Sequence, residues 1–208
     1  YLGYHQYDGK LPDASADGIQ REIDRLKSSQ RMLRQFAEAG LNETHRLERE
    51  VLLFAIREEL FNLTVQRRPW SDPMNYSWAI SLQNYIERDY APTEDRARAV
   101  IAASSAMGRL VGQIQLLLEQ EMPRTWIETA LMEVKGNIEF ASKDVRVAFA
   151  DLNDEVLRGR VSKAIDQYVA ALTKQQNFLE SRLVQATDAF SLGEARFLQM
   201  LADTQGVR

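Results

Sequence analysis

The residues best suited to chemistry by type and spacing lie at the start of the chain. His5 stands between Tyr4 and Tyr7, and Asp8 follows the histidine by three positions. If this segment folds over a cleft, its imidazole, phenols and carboxylate could transfer a proton or contact a ligand. The alternative is structural, because a lone histidine among tyrosines often packs and hydrogen-bonds a nearby backbone group. The sequence leaves both interpretations open.

A second candidate occupies the least regular stretch of the chain. Arg88, Asp89 and Tyr90 lie there, with Asn75 and Tyr76 upstream. Loops held by a rigid scaffold carry binding residues disproportionately. The alternative is a structural loop that is tied down by an Arg–Asp pair. The candidate substrate-binding residues of the two stretches are Tyr4, His5, Tyr7, Asp8, Arg88 and Tyr90. No residue is assigned a catalytic role.

Metal chemistry has little support in the composition. The chain has no cysteine, and His5 and His45 are its two histidines, whereas a catalytic zinc normally takes three protein ligands. His45 and Glu48 have the wrong spacing for a zincin motif, which needs histidines at i and i+4 with a glutamate directly after the first. Acidic pairs such as Glu58 and Glu59 are typical of solvated helix faces. We expect no metal and no cofactor in this chain.

Composition narrows the class of protein further. The 208 residues are 45% hydrophobic and 27% charged, as in ordinary globular domains. With 26 basic against 30 acidic residues the net charge is −4, so no positive field favours nucleic acid. No run approaches the ~18 apolar residues of a membrane span. Because the chain begins with Tyr1 rather than Met, we expect an excised piece that has lost any targeting signal.

Apolar residues recur at intervals of three, four and seven, which predicts an all-α fold without strands. Short connections between long amphipathic helices favour antiparallel neighbours, so we expect an elongated bundle of about six or seven helices. The expected helices run from Asp13 to Gly40, from Asn42 to Pro69, from Trp78 to Asp89, from Thr93 to Met122, from Thr125 to Asp151, from Asp154 to Asp188 and from Glu194 to Asp203. The expected organisation is an ordered N-terminal segment (residues 1–12), a helical bundle (13–190) and the start of a truncated further helix (191–208).

Capping and breaking residues set several of these boundaries. Asn42 and Thr93 are expected to cap the helices that follow them. The stretch Thr125–Glu128 has the form of a capping box. Pro69 and Pro73 remove backbone donors and helical torsions, so they predict a loop.

Packing expectations follow from the same patterns. Two apolar stripes predict that the second helix is buried. Gly108 and Gly112 are four residues apart, which favours close approach of a neighbouring helix. The sixth helix would be about 50 Å long. Trp70, Trp78 and Trp126 lie near prolines or helix starts, where an indole usually fills the edge of the core, and none is assigned a function.

Short motifs along nearly the whole chain resemble a large bacterial family catalogued as domain of unknown function 885. Residues 1–13 read YLGYHQYDGKLPD and carry the first part of the resemblance. The other matching motifs, in order, are Leu47-Glu48-Arg49-Glu50, Asp72-Pro73-Met74-Asn75-Tyr76, Arg88-Asp89-Tyr90-Ala91-Pro92, Pro123 to Trp126, and Leu192-Gly193-Glu194 with Phe197.

The resemblance implies an N-terminal region of a larger protein. Members of the family are similar to helical zinc peptidases, whose His-Glu-x-x-Pro-Gly-His-type motif lies in a later, C-terminal part. This chain has no such motif, so zinc and its general base are expected only in that missing part. The resemblance also implies a partner in the C-terminal part, peptide as substrate, and a location in the periplasm or cell envelope.

Three hypotheses follow for function. The first is a helical scaffold and substrate-channel region of a zinc-dependent peptidase, inactive by itself. The second is a free-standing helical ligand-binding or sensor domain without catalysis. A large exposed apolar face near Leu192 to Leu201 favours the first, and a closed bundle with its own ligand-sized pocket favours the second. The third is a structural oligomer that is built on the long sixth helix.

Overall fold

The computed structural model describes residues 5–37 and 40–205, and within these ranges the fold is all-α without a β-strand, as predicted. Its long helices are α1 (Ala16–Gln35), α2 (Glu43–Thr64), α6 (Thr93–Leu117), α7 (Arg124–Phe140), α9 (Glu155–Arg182) and α10 (Glu194–Thr204). Its short helices are α3 (Arg68–Ser71), α4 (Ser77–Ile80), α5 (Asn84–Glu87) and α8 (Arg146–Ala148). Tight 3₁₀ turns span His5–Tyr7, Pro73–Tyr76 and Leu183–Gln185, and a π-helical turn spans Ala141–Val145.

The core lies where α6 and α7 pack against α9. The largest side chains that are fully buried there include Met107, Leu110, Ile114, Ile127, Ile165, Tyr168, Leu172 and Leu179. Helix α6 is also long and apolar enough to cross a bilayer by length and composition, the one such helix in the described ranges. Since its apolar side chains form the centre of this core, the same composition is explained by packing.

One predicted cap is confirmed, and a second cap forms where the sixth predicted helix was expected to begin. The Asn42 side chain accepts a hydrogen bond from the backbone amide of His45 at 2.8 Å, and α2 begins at the next residue. The Asp154 carboxylate accepts from the amide of Leu157 at 2.9 Å and starts α9. Each cap satisfies an amide of the first turn that has no partner within the helix.

Two other predicted caps are wrong. Pro92 and Pro123 occupy the N-cap positions of α6 and α7, and neither provides a side-chain cap. Thr93 is therefore the first residue inside α6, and the capping box over Thr125–Glu128 does not form because α7 already begins at Arg124. The fixed φ of proline sets the entry of each helix without a capping hydroxyl.

The stretch between α2 and α6 differs most from expectation. The predicted loop at Pro69 and Pro73 is wrong, because each proline lies in the first turn of a short helical piece, where a missing amide costs nothing. The Asp72 side chain is 5% exposed, accepts from the amide of Met74 at 2.9 Å and pairs with Arg68 at 2.9 Å. The predicted third helix is also interrupted, and two separate turns, α4 and α5, take its place.

Helix α2 is not the buried helix that its two apolar stripes predict. Leu53 and Ile56 are buried, but Leu47, Val51 and Leu52 are 67%, 58% and 52% exposed. Helices α1 and α10 pack on α2, and they leave these three side chains uncovered. Grouped apolar side chains that stay exposed on a helix indicate a surface that another molecule or chain segment covers.

The pair of glycines in α6 does not mark a close helix approach, so that prediction is wrong. A Cβ atom built at Gly108 or Gly112 meets nothing within 4 Å. We therefore expect Gly108→Ala to raise the free energy of unfolding by about 0.5–1 kcal/mol, because alanine loses less backbone entropy in a helix. Urea unfolding followed by circular dichroism measures this gain, and a loss of stability would contradict it.

Candidate binding site

The N-terminal segment lies directly on α6, and Gly9 is the point of closest approach. Its φ is +75°, and a Cβ atom there would lie 2.7 Å from the Cβ of Ala102 and 2.9 Å from the carbonyl oxygen of Ala99. The backbone amide of Gly9 donates to the Tyr85 hydroxyl at 3.0 Å. Only glycine combines this φ with this contact, so the position of the segment depends on Gly9.

The segment is also fixed at its end before α1. The Gln113 side chain on α6 donates to the Asp13 carboxylate at 2.7 Å and accepts from the backbone amide of Ala14 at 3.2 Å. Hydrogen bonds from the side chain and backbone of Ser15, with a smaller effect of Arg21, lower the pKa of Asp13 below its ordinary value. The carboxylate is therefore ionised at neutral pH and holds the segment on α6.

Three of the six predicted site residues lie together. His5 Nδ1 is 3.2 Å from Asp8 Oδ2, and the imidazole stacks on the Tyr90 ring with 4.2 Å between centroids and a 3° interplanar angle. This packing joins the N-terminal segment to the loop before α6. Tyr4 lies outside the described residues, so its predicted contact with the others stays a prediction.

The loop that contains Arg88 and Tyr90 is held by Arg96 on α6. The Arg96 guanidinium pairs with Asp89 at 2.9 Å and donates to the carbonyl oxygen of Ala91 at 3.1 Å. The ion pair between Arg96 and Asp89 thus holds this loop in place. Because the Arg96 side chain is 11% exposed, it supports the loop from inside.

Tyr7 and Asp8 line an open cleft between the N-terminal segment and α4 and α5, with a volume of about 470 Å³. His5, Arg88 and Tyr90 are not among the residues that line this cleft. Lys10 lies at the same wall, with its ammonium 5.2 Å from the centroid of the Tyr7 ring. Of the predicted residues, His5, Asp8 and Tyr90 thus form a packing cluster, and Tyr7 and Asp8 line the cleft.

Trp78 projects from α4 at the other wall of this cleft. Its neighbours Ala79 and Ile80 are buried, whereas Trp78 itself is 70% exposed. Helix α4 is anchored on both sides of the indole, because the Ser77 hydroxyl donates to Glu133 and the carbonyl oxygen of Ile80 accepts from the Tyr168 hydroxyl. The indole is thus held in solvent by a rigid support, contrary to the expectation that it fills the core edge.

Three clefts have Trp78 as a common lining residue. The cleft already described, here the first cleft, shares Pro12 and Trp78 with a smaller middle cleft of about 150 Å³. The middle cleft shares Asn75 and Trp78 with a third cleft of about 470 Å³. We call these three clefts together the Trp78 groove. It runs from Tyr7 past the indole to the face of α2 that carries Asn62.

Two asparagine side chains of the Trp78 groove are available for a ligand. Asn84 lines the first cleft and Asn62 lines the third. Neither carboxamide makes a hydrogen bond to any residue in the described ranges. A carboxamide has two donors and an acceptor, so each can pair with a ligand group that offers both functions.

Sequence patterns missed Trp78, but a signal was present. Successive side chains of a helix point about 100° apart. The side chains of Trp78, Ala79 and Ile80 therefore cannot all point into the protein core. The two smaller residues are buried and the largest is exposed. Nothing in the sequence indicates which of the three faces solvent, because the tertiary contacts of Ser77 and Ile80 decide it.

Comparison with known proteins places the chain in a family. The model of the family described as "Bacterial protein of unknown function (DUF885)" matches residues 1–208. The chain belongs to this family. The resemblance carried by the short motifs is thereby confirmed, and DUF885 membership extends over the whole length. Among curated proteins, none matches the chain.

A solved structure has the same fold as this DUF885 chain. It is "a putative lipoprotein of unknown function from Shewanella oneidensis", with a TM-score of 0.87 and 20% sequence identity. The alignment covers 96% of this chain and 37% of the neighbour, so the chain spans little more than a third of the neighbour's length. At this identity the likeness shows the fold alone.

The described residues do not fit a metal site. No group of three or more histidine, aspartate or glutamate side chains that could hold a metal ion lies within residues 5–37 and 40–205. The groove instead combines exposed aromatic side chains, carboxamides and a few charges. This arrangement can bind and orient a ligand, and no set of groups for covalent or metal-assisted chemistry accompanies it there.

Proposed function

We propose that this chain is the N-terminal helical scaffold of a zinc-dependent peptidase and supplies one wall of its peptide-binding channel. Bound zinc in such an enzyme polarises the scissile carbonyl and activates water. No step of the hydrolysis is assigned to this chain, because its described residues do not fit a zinc site. In this proposal they bind and orient the peptide, and the hydrolytic groups lie in further polypeptide.

The observation that carries the proposal is an exposed apolar surface on adjoining helices. Leu47, Val51 and Leu52 of α2 are more than half exposed, and so is Leu198 of α10, which packs on α2. Phe197 of α10 is 48% exposed. We call these five side chains the α2/α10 face. Exposed apolar side chains grouped on two helices that pack together favour coverage by another protein surface.

The length of the structural neighbour supports further polypeptide as the cover. Since the fold matches 37% of that chain, a relative of this fold exists with a large additional part. Its description as a lipoprotein also supports a location in the cell envelope for this chain. The further polypeptide and the cell-envelope location are both part of the proposal for this chain.

The first test reads the natural gene beyond Arg208 and assays its product. We expect the reading frame to continue and to encode a His-Glu-x-x-Pro-Gly-His-type motif. The purified longer protein should then hydrolyse peptides in the presence of zinc, and residues 1–208 alone should not. A reading frame that stops after Arg208, or zinc-dependent turnover by the 208-residue chain, would refute the proposal.

A second test concerns the α2/α10 face. We expect Leu47→Gln with Leu198→Gln to change the unfolding free energy of the 208-residue chain by less than about 0.5 kcal/mol, because both side chains are exposed. In the longer protein the same pair should cost about 2–4 kcal/mol, because two leucines would be buried there. Denaturant unfolding of all four proteins measures the difference.

Leu116→Gln is the matched control for this pair. Leu116 is 91% exposed and lies on α6, away from the α2/α10 face, so the change should be neutral in both proteins. An equal, small effect of the α2/α10 pair in the longer protein would show that no further polypeptide covers the face.

A second candidate function is a free-standing ligand-binding domain. The observation that favours it is the first cleft, which has a volume of about 470 Å³. That volume lies within the range of small-molecule sites. The cleft is open and joins two others, and this favours a channel wall over a closed sensor pocket.

A further inference from the structure

We propose that the Trp78 groove binds a peptide in extended conformation, with the indole packing on one peptide side chain while Asn62 and Asn84 hydrogen-bond the peptide backbone. This inference rests on the proposed function and names the residues that would bind the peptide. It concerns a binding mode, which is separable from the hydrolysis that the further polypeptide would perform.

The arrangement of the three clefts around Trp78 favours an elongated ligand. The first and third clefts have about 470 Å³ each, and each shares Trp78 and at least one other lining residue with the middle cleft. A compact ligand would fill one of these spaces and leave the other two empty. A chain-like molecule can pass through all three and keep contact with the indole.

The chemistry of the walls favours a peptide backbone. A peptide unit presents one donor and one acceptor side by side, and a carboxamide presents the same pair in return. Asn84 in the first cleft and Asn62 in the third thus lie at separate points along the path and could each pair with one peptide unit. The lining includes Asp8 and Lys10 at one end and Glu59 and Arg68 at the other, so neither end selects a strongly charged polymer of one sign.

Trp78 is the expected anchor for a side chain of the peptide. An exposed tryptophan on a rigid support loses little conformational freedom on binding, and such residues dominate the energetics of recognition. Because Ser77 and Ile80 fix α4 on both sides of the indole, the ring is already in position. A peptide residue with an aromatic or large aliphatic side chain fits this anchor best.

Fluorescence anisotropy with residues 1–208 and a labelled heptapeptide, capped at both ends and with a central phenylalanine, tests the proposal without zinc. We expect saturable binding by the unmodified chain and at least tenfold weaker binding by Trp78→Ala. Leu116→Ala removes another exposed apolar side chain, outside the groove, and should bind as the unmodified chain does. Circular dichroism melting confirms that both variants are folded.

A second peptide isolates the backbone contacts. The same heptapeptide with N-methylated backbone amides loses its donors and should bind at least threefold more weakly. Asn62→Ala and Asn84→Ala should each weaken the ordinary peptide about two- to tenfold and should have less effect on the methylated one. Equal effects on both peptides would overturn the role of the carboxamides.

Other outcomes separate this inference from the proposed function. Absence of peptide binding at millimolar concentration, unchanged binding by Trp78→Ala, or preferential binding of a neutral oligosaccharide would each overturn the inference. If the longer protein hydrolyses peptides and Trp78→Ala leaves kcat/KM unchanged, the proposed function stands and the inference fails. If peptides bind as expected and the longer protein does not hydrolyse them, the proposed function fails alone.

Discussion

Gly9→Ala is expected to lower the free energy of unfolding by about 2–5 kcal/mol. A side chain at φ +75° is strained, which costs about 1–2 kcal/mol, and the new methyl group would lie 2.7 Å from the Cβ of Ala102. Overpacking at such a contact adds about 1–3 kcal/mol. Urea unfolding monitored by circular dichroism gives the value.

The same substitution should also damage the binding site. If the N-terminal segment moves away from α6, Tyr7 and Asp8 leave the wall of the first cleft, and peptide binding weakens together with stability. Gly108→Ala, the same chemical change at an open position, should stabilise the chain and leave binding intact. A Gly9→Ala variant with unchanged stability and unchanged binding would show that the segment does not depend on close packing against α6.

The second large effect is expected at Tyr168, whose ring is fully buried in the core. Tyr168→Ala should cost about 3–5 kcal/mol, because it removes an aromatic ring from a closely packed interior. Tyr168→Phe keeps the ring and removes the hydrogen bond to the carbonyl oxygen of Ile80, which should cost about 1–3 kcal/mol because that acceptor stays buried. Burial raises the pKa of the Tyr168 phenol, so the hydroxyl stays protonated and able to donate.

Val156→Ala provides the control on the same helix. Val156 is 74% exposed on α9, so its truncation should change stability by less than about 0.5 kcal/mol. The denaturant midpoints of Tyr168→Ala, Tyr168→Phe and Val156→Ala measure the loss of stability that each substitution causes. If Tyr168→Phe were as stable as the unmodified chain, the bond to Ile80 would not be what holds α4, and the rigid support of Trp78 would need another origin.

The long helices were predictable because their own residues determine them. Helices α1, α2, α6 and α9 have apolar residues at helical spacing over five or more turns, and Asn42 and Asp154 start two of them as expected. Arg182 ends α9 earlier than predicted, because Leu183–Gln185 tightens into a 3₁₀ turn. Local patterns therefore give the presence of a long helix more reliably than its last turn.

The stretch from Arg68 to Glu87 was not predictable, because distant contacts determine it. The Ser77 bond to Glu133 and the Tyr168 bond to Ile80 each join residues that no local pattern connects, and together they fix α4. The candidate site could likewise be predicted from the sequence only in part. His5, Asp8 and Tyr90 were identified and do lie together, whereas the exposure of Trp78 depends on those distant contacts.

The attachment of the N-terminal segment to α6 has a consequence for how the chain folds. Gly9 bonds a residue 76 positions later, and Ala14 bonds one 99 positions later. Residues 9–14 thus have no surface to dock on until α6 has been synthesised, and contacts of such sequence separation form slowly. A translation product that stops before α6 would hold every lining residue of the middle and third clefts and still have no assembled groove.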